Sequence, residues 1–139
     1  MIDMRLKDLF FDTKAVRDRT DRATRRVLSK FGAFVRRTAR SSIRKRKRIS
    51  KPGSPPSSHT GLLKRFIWFG YDPQKESVVI GPIRLNRKRG DAPEALEYGG
   101  RSRLGPRRIV YIRERPFMRP AFVKEQNEHM PQMWYDSIR

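Results

Sequence analysis

Residues 13–43 read TKAVRDRTDRATRRVLSKFGAFVRRTARSSI, and this stretch decides the architecture. Val16, Thr20, Ala23, Val27, Phe31, Phe34 and Ala39 recur three to five residues apart, with Val35 and Ile43 extending the stripe. That spacing predicts one long amphipathic helix. No proline interrupts it, and Gly32 is its only weak point, costing about 1 kcal/mol relative to Ala. Asp12 stands where a side-chain oxygen can accept from the free amides of the first turn. Such a helix is about 45 Å long, so its narrow stripe needs a sizeable partner surface. Arginines at 17, 19, 22, 25, 26, 36, 37 and 40 fill much of the remaining circumference.

Outward from the helix, residues 1–12 read as an amino-terminal arm, in which Leu6, Leu9, Phe10 and Phe11 suit either a short helix or a segment packed on a neighbour. On the other side, Arg44-Lys45-Arg46-Lys47-Arg48 is followed by Ser50-Lys51-Pro52-Gly53-Ser54-Pro55-Pro56-Ser57-Ser58-His59-Thr60. Residues 44–60 therefore read as a long basic loop rich in Pro and Ser, without a core of its own. The period then changes. Leu62 and Leu63 start a short turn or helix, Phe66–Phe69 and Ser77–Gly81 read as a strand pair joined at Asp72-Pro73, and Ile109–Ile112 reads as a third strand. Residues 84–91 and 101–107 read as basic loops, Pro93–Tyr98 as a short helix stopped by Gly99-Gly100, and Ala121–Trp134 as a last helix. The residues thus read as a long amino-terminal helix, a strand pair with a third strand, and a carboxy-terminal helix. The length predicts one domain over 1–139, with residues 61–139 holding the sheet and last helix.

Charge narrows the function. Lys plus Arg number 34 against 14 acids, a net charge of +20. Residues 36–51 hold nine bases and no acid; residues 84–119 hold eleven bases and four acids. Blocks of this kind favour contact with a polyanion through counterion release, or with an acidic protein surface. Cysteine is absent, which removes disulfides and thiolate chemistry. The two histidines, His59 and His129, lie far apart outside any metal-ligand spacing, so no metal or other cofactor is expected. Glu94 and Glu97 share a helix face and read as an ordinary charged surface. Gly99-Gly100-Arg101 lacks the spacing of a phosphate loop, and Trp68, Phe69 and Tyr71 read as core before they read as a base-stacking platform. No enzyme is expected. The amino terminus lacks a signal-peptide core and no apolar window spans a membrane, so a cytosolic, non-membrane setting is expected.

Four separated pieces carry more. They are Pro52–Pro56 with His59-Thr60-Gly61-Leu62-Leu63-Lys64; Val78-Val79-Ile80-Gly81-Pro82; Ala92-Pro93-Glu94-Ala95-Leu96-Glu97-Tyr98-Gly99-Gly100; and Arg115-Pro116-Phe117-Met118-Arg119-Pro120-Ala121. In this order, after a long helix, the chain resembles the tail-completion, or head–tail joining, family of tailed bacteriophages over residues 13–135.

The resemblance implies an α+β subunit, with the long amino-terminal helix and the carboxy-terminal helix packed on a small, mainly antiparallel sheet. It implies a virion protein, assembled in the host cytoplasm, that forms a homo-oligomeric ring at the neck. Six-fold symmetry is favoured and twelve-fold is the alternative. The ring would join the DNA-filled capsid to the tail between portal-side and tail-side rings, leaving a channel for double-stranded DNA. Thr60 and Gly61 are then expected to cap a short helix, Glu97, Tyr98, Gly99 and Gly100 to make a rigid turn, and Pro116, Phe117 and Pro120 to anchor the last helix. Arg44, Lys45, Arg46, Lys47, Arg48, Lys51, Arg87, Lys88, Arg89, Arg101 and Arg103 are expected to face partner rings or DNA. Because an arginine-lined channel would retain DNA, most are expected on partner rings and a minority toward DNA. The alternative class is a basic nucleic-acid-binding protein outside the virion.

Overall fold

The structure, a computed structural model, describes residues 12–83, 92–104 and 108–138. The long helix forms as the spacing predicts: α1 spans Thr13–Ser42, and Asp12 Oδ1 accepts from the Ala15 amide at 3.0 Å. Its stripe is used unevenly. Val27, Phe31, Val35 and Ala39 are buried, as is Ile43 just beyond the helix, whereas residues 12–22 are exposed, Val16 included.

Two layers cover the buried half. On one side lies the hairpin of β3 (Ile67–Asp72) and β4 (Ser77–Pro82), paired so that Phe69 faces Ile80 and Tyr71 faces Val78. Asp72 Oδ1 accepts from the Gln74 and Lys75 amides and fixes the turn. On the other side lie α4 (Met118–Glu128) and α5 (Met130–Ile138), which bring Phe117, Ala121 and Met133 into the same core. The short helix α2 (Leu62–Arg65) precedes β3. The helix α3 (Ala92–Tyr98) leads into a second antiparallel ribbon, β5 (Gly100–Leu104) with β6 (Arg108–Ile112). The strands β1 (Arg44–Lys45) and β2 (Ser57–Ser58) form a two-residue parallel contact. The fold is α+β, with antiparallel pairing divided between two ribbons.

Three details differ from the sequence reading. Residues 100–104 are a strand, not part of a basic loop, because Arg101-Ser102-Arg103 alternates: Ser102 is buried while both arginines point to solvent. The last helix starts earlier, at Met118, and is broken at His129. Pro131 explains the break, since it has no amide and its ring would clash with the carbonyl four residues back in a continuous helix. Glu97 is not on a charged surface; it is buried, as described below.

The break is tied to α1. The Thr38 hydroxyl donates to Glu125 Oε1, and His129 Nδ1 lies 2.7 Å from Glu125 Oε2, with the Glu125 side chain buried. The His129 ring also packs on Phe34, centroid to centroid 5.0 Å.

Gly32 is a contact, not a defect. A Cβ placed there would stand 2.8 Å from both Phe69 Cδ2 and Val78 Cγ2, so its missing side chain lets the hairpin lie directly on α1. Gly32→Ala is therefore expected to lower stability despite a helix-propensity gain of about 1 kcal/mol, because overpacking against a ring and a β-branched methyl costs about 1–3 kcal/mol. Urea unfolding reads the outcome; a higher midpoint in the variant would refute this crossing.

Candidate functional site

The carboxy-terminal half of α1 presents a second face beside its buried stripe. Ala33, Arg37 and Ser41 recur at four-residue spacing, flanked by Arg36 and Arg40. With Lys64 of α2 they line a cavity of about 410 Å³. A second cavity of about 360 Å³ shares Ser41 and continues along Ser42, Arg44, Arg46, Ser54 and Pro55. Joined at Ser41, the two make one groove, and the described residues that line it include six bases and no acid. The wall is held in place: Arg36 Nε donates to the Ile67 carbonyl at 2.9 Å and its guanidinium lies 5.1 Å from the Trp68 ring centre. Arg37 lies over Phe34, and Arg46 Nε donates to Ser57 Oγ at 2.9 Å. Trp68, which stands against Arg36 and lies outside the lining of either cavity, is 50% exposed.

This arrangement sorts the residues expected from sequence. Arg44 and Arg46 line the groove, while Lys45, Lys47, Arg48 and Lys51 are exposed outside it. Arg101 and Arg103 lie elsewhere, on the outer face of the β5–β6 ribbon, opposite Tyr111 and Ile109 in register. Arg87, Lys88 and Arg89 lie outside the described residues. Of the three aromatics read as core, Phe69 packs under Gly32, but Trp68 turns outward because successive strand residues face opposite sides. Arg36, Arg37 and Arg40, read from sequence as part of the basic block 36–51, and Lys64 carry the groove. Their helical spacing was the available signal.

The remaining expected residues meet at a corner. Glu97 Oε2 accepts from the Phe117 and Met118 amides at 2.9 and 3.0 Å, and Oε1 accepts from the Arg119 amide at 2.7 Å. A helix start leaves its first amides without partners. Here one carboxylate takes three of them, and Pro120 removes the next. The helix dipole favours the same charge, and the three bonds offset the cost of burying it. Gly99, at φ +75°, turns the chain out of α3. Tyr98 is exposed. Arg115 joins the corner to the basic arm: its amide donates to the Leu96 carbonyl and its Nε to the Ser50 carbonyl, while the Gly53 amide donates to Glu114. Thr60 Oγ1 accepts from the Leu62 amide at 3.3 Å, and Gly61, left-handed at φ +77°, is the N-cap of α2, which has no side-chain cap of its own.

Among the described residues no group of three or more His, Asp or Glu side chains could hold a metal ion, and no described helix is long and apolar enough to cross a membrane. Compared with protein-family models, curated proteins and solved structures, the chain matches none.

Glu97→Ala is expected to cost about 2–4 kcal/mol, because three amides lose a charged acceptor in a buried corner. Glu97→Gln, which keeps one acceptor oxygen, is expected to cost less. Hydrogen exchange at Phe117–Arg119 checks the cause: unchanged protection in Glu97→Ala would sink it.

Proposed function

We propose that this chain is a structural virion protein that forms a ring at the head–tail junction of a tailed bacteriophage, joining the filled capsid to the tail around a DNA channel. The observation that carries the reading is how the resembling pieces are connected. The piece at residues 92–100 is bonded to the piece at 115–121 through Glu97 and three successive amides. The piece beginning at Pro52 is tied to the same corner through Gly53 and Glu114. Three of the four pieces thus meet at one corner, while the piece at 78–82 lies in the β3–β4 hairpin, and the roles of Gly53, Glu97 and Phe117 at that corner are structural.

Two surfaces support self-association. Residues 12–22 extend α1 as an exposed segment, and the β5–β6 ribbon exposes Ile109 and Tyr111, the latter at 74%. Six-fold closure is the reading for a ring that meets a tail, with twelve-fold the alternative at a portal. Net charge opposes association of the isolated subunit until partners neutralise it. In this reading the exposed bases Lys45, Lys47, Arg48 and Lys51, with Arg101 and Arg103, meet acidic surfaces of adjoining portal-side and tail-side rings, where charge pairs give register and fast docking.

Cryo-electron microscopy of virions tests the reading: several copies related by rotation at the neck are expected, and a single copy or none there would exclude it. Lys45, Lys47 and Arg48 changed together to Ser should give filled heads and separate tails. Normal virions from that variant would remove these residues from the joining surface.

A further inference from the structure

We infer that the groove centred on Ser41 binds the phosphodiester backbone of a nucleic acid strand, with Trp68, against Arg36, as a stacking surface. The inference goes beyond the neck reading and does not depend on ring formation. Arg36, Arg37, Arg40 and Lys64 converge on one cavity, and Arg44 and Arg46 carry the same charge into the next. The hydroxyls of Ser41, Ser42 and Ser54 line the same path, adding neutral donors that suit phosphate oxygens.

Geometry favours a regular polyanion. Arg36 and Arg40 lie one turn apart on α1, about 6 Å along its axis at 1.5 Å per residue, and Arg44 carries the row into the extended chain beyond Ile43. A nucleic acid strand presents phosphates at regular short intervals, so a row of this kind can meet several in succession. Arginine supplies the planar fork that fits their oxygens. Arg36 is already immobilised by the Ile67 carbonyl and the Trp68 ring, so less side-chain freedom is lost on binding.

Trp68 separates this ligand from an acidic polypeptide. A half-exposed indole beside a cation row is the pairing with which proteins hold nucleic acid strands: backbone in the charged track, base on the aromatic face. An acidic peptide would use the arginines and leave the exposed part of the indole uncovered.

The test uses the full chain and fluorescently labelled oligonucleotides of one length, single-stranded and duplex, titrated across a salt series. Arg37, Arg40 and Lys64 changed together to Ser form the groove variant. Arg17, Arg19 and Arg22 changed to Ser, on the exposed start of α1, form a control of equal charge. The groove variant should lose at least about tenfold in affinity and flatten the log–log salt slope by about 2–3, one for each lost phosphate contact. The control should change both far less. Replacing Arg37 and Arg40 by Lys should keep the slope, which distinguishes lost contacts from a misfolded variant. Quenching of tryptophan emission by the single strand, absent in Trp68→Phe, would identify a single strand as the source. Equal duplex binding without quenching would identify the duplex backbone and remove the stacking role. Equal losses in groove and control variants would overturn the site, and so would a polyglutamate that binds the groove as tightly as the oligonucleotide. None of these outcomes bears on the neck ring, which imaging decides separately.

Discussion

Val27, Phe31, Val35, Ala39 and Ile43 form one apolar line that has to be covered from two directions, and the rest of the packing follows from that demand. A hairpin covers one flank and the α4–α5 pair the other, so these elements meet through α1. The approach on the hairpin side depends on Gly32, where any side chain would meet Phe69 and Val78. The approach on the helical side depends on Phe117 entering the core, which places the start of α4 where Glu97 can reach its amides. Burial of the stripe and capping of α4 are therefore parts of one constraint, because Phe117 takes part in both.

Acid is scarce in this chain, and the two buried carboxylates among the described residues both work internally. Glu97 satisfies the start of α4; Glu125, near the end of that helix, takes the Thr38 hydroxyl and faces His129. In each case a carboxylate ties α4 to another helix, α3 at one end and α1 at the other. Buried charges survive only where partners replace lost water, and both sites meet that condition with groups far away in sequence.

This separation explains what could be read beforehand. The helix over 13–42, its Asp12 cap, the first hairpin and the glycine stop after α3 were legible because each is a local matter of spacing, capping or turn chemistry. The β5 strand was obscured because its alternation is carried by arginine and serine, so charge drew attention before period. The break at His129 was marked by Pro131, a local signal passed over in favour of the apolar spacing around it. The inward role of Glu97 had no local signal, since its partners lie some twenty residues away on a helix it does not belong to. The groove was half legible: its charge was plain, but that Arg36, Arg37, Arg40 and Lys64 share one wall depends on where α2 folds back against α1.

The same division gives the charge its direction. With Glu97 and Glu125 committed to holding α4, and no acid among the described residues that line the groove, the six bases there stand together as like charges. Repulsion among them opposes the compact state, and ligand that binds only the folded chain relieves it, adding stability in proportion to the logarithm of its concentration over its dissociation constant. A polyanion in the groove and an acidic surface against the outer bases would each draw on this stored repulsion at separate places. The fold would tolerate so large an excess of arginine because the charges repel outside a core they do not enter, and their neutralisation would be supplied by assembly instead of by folding.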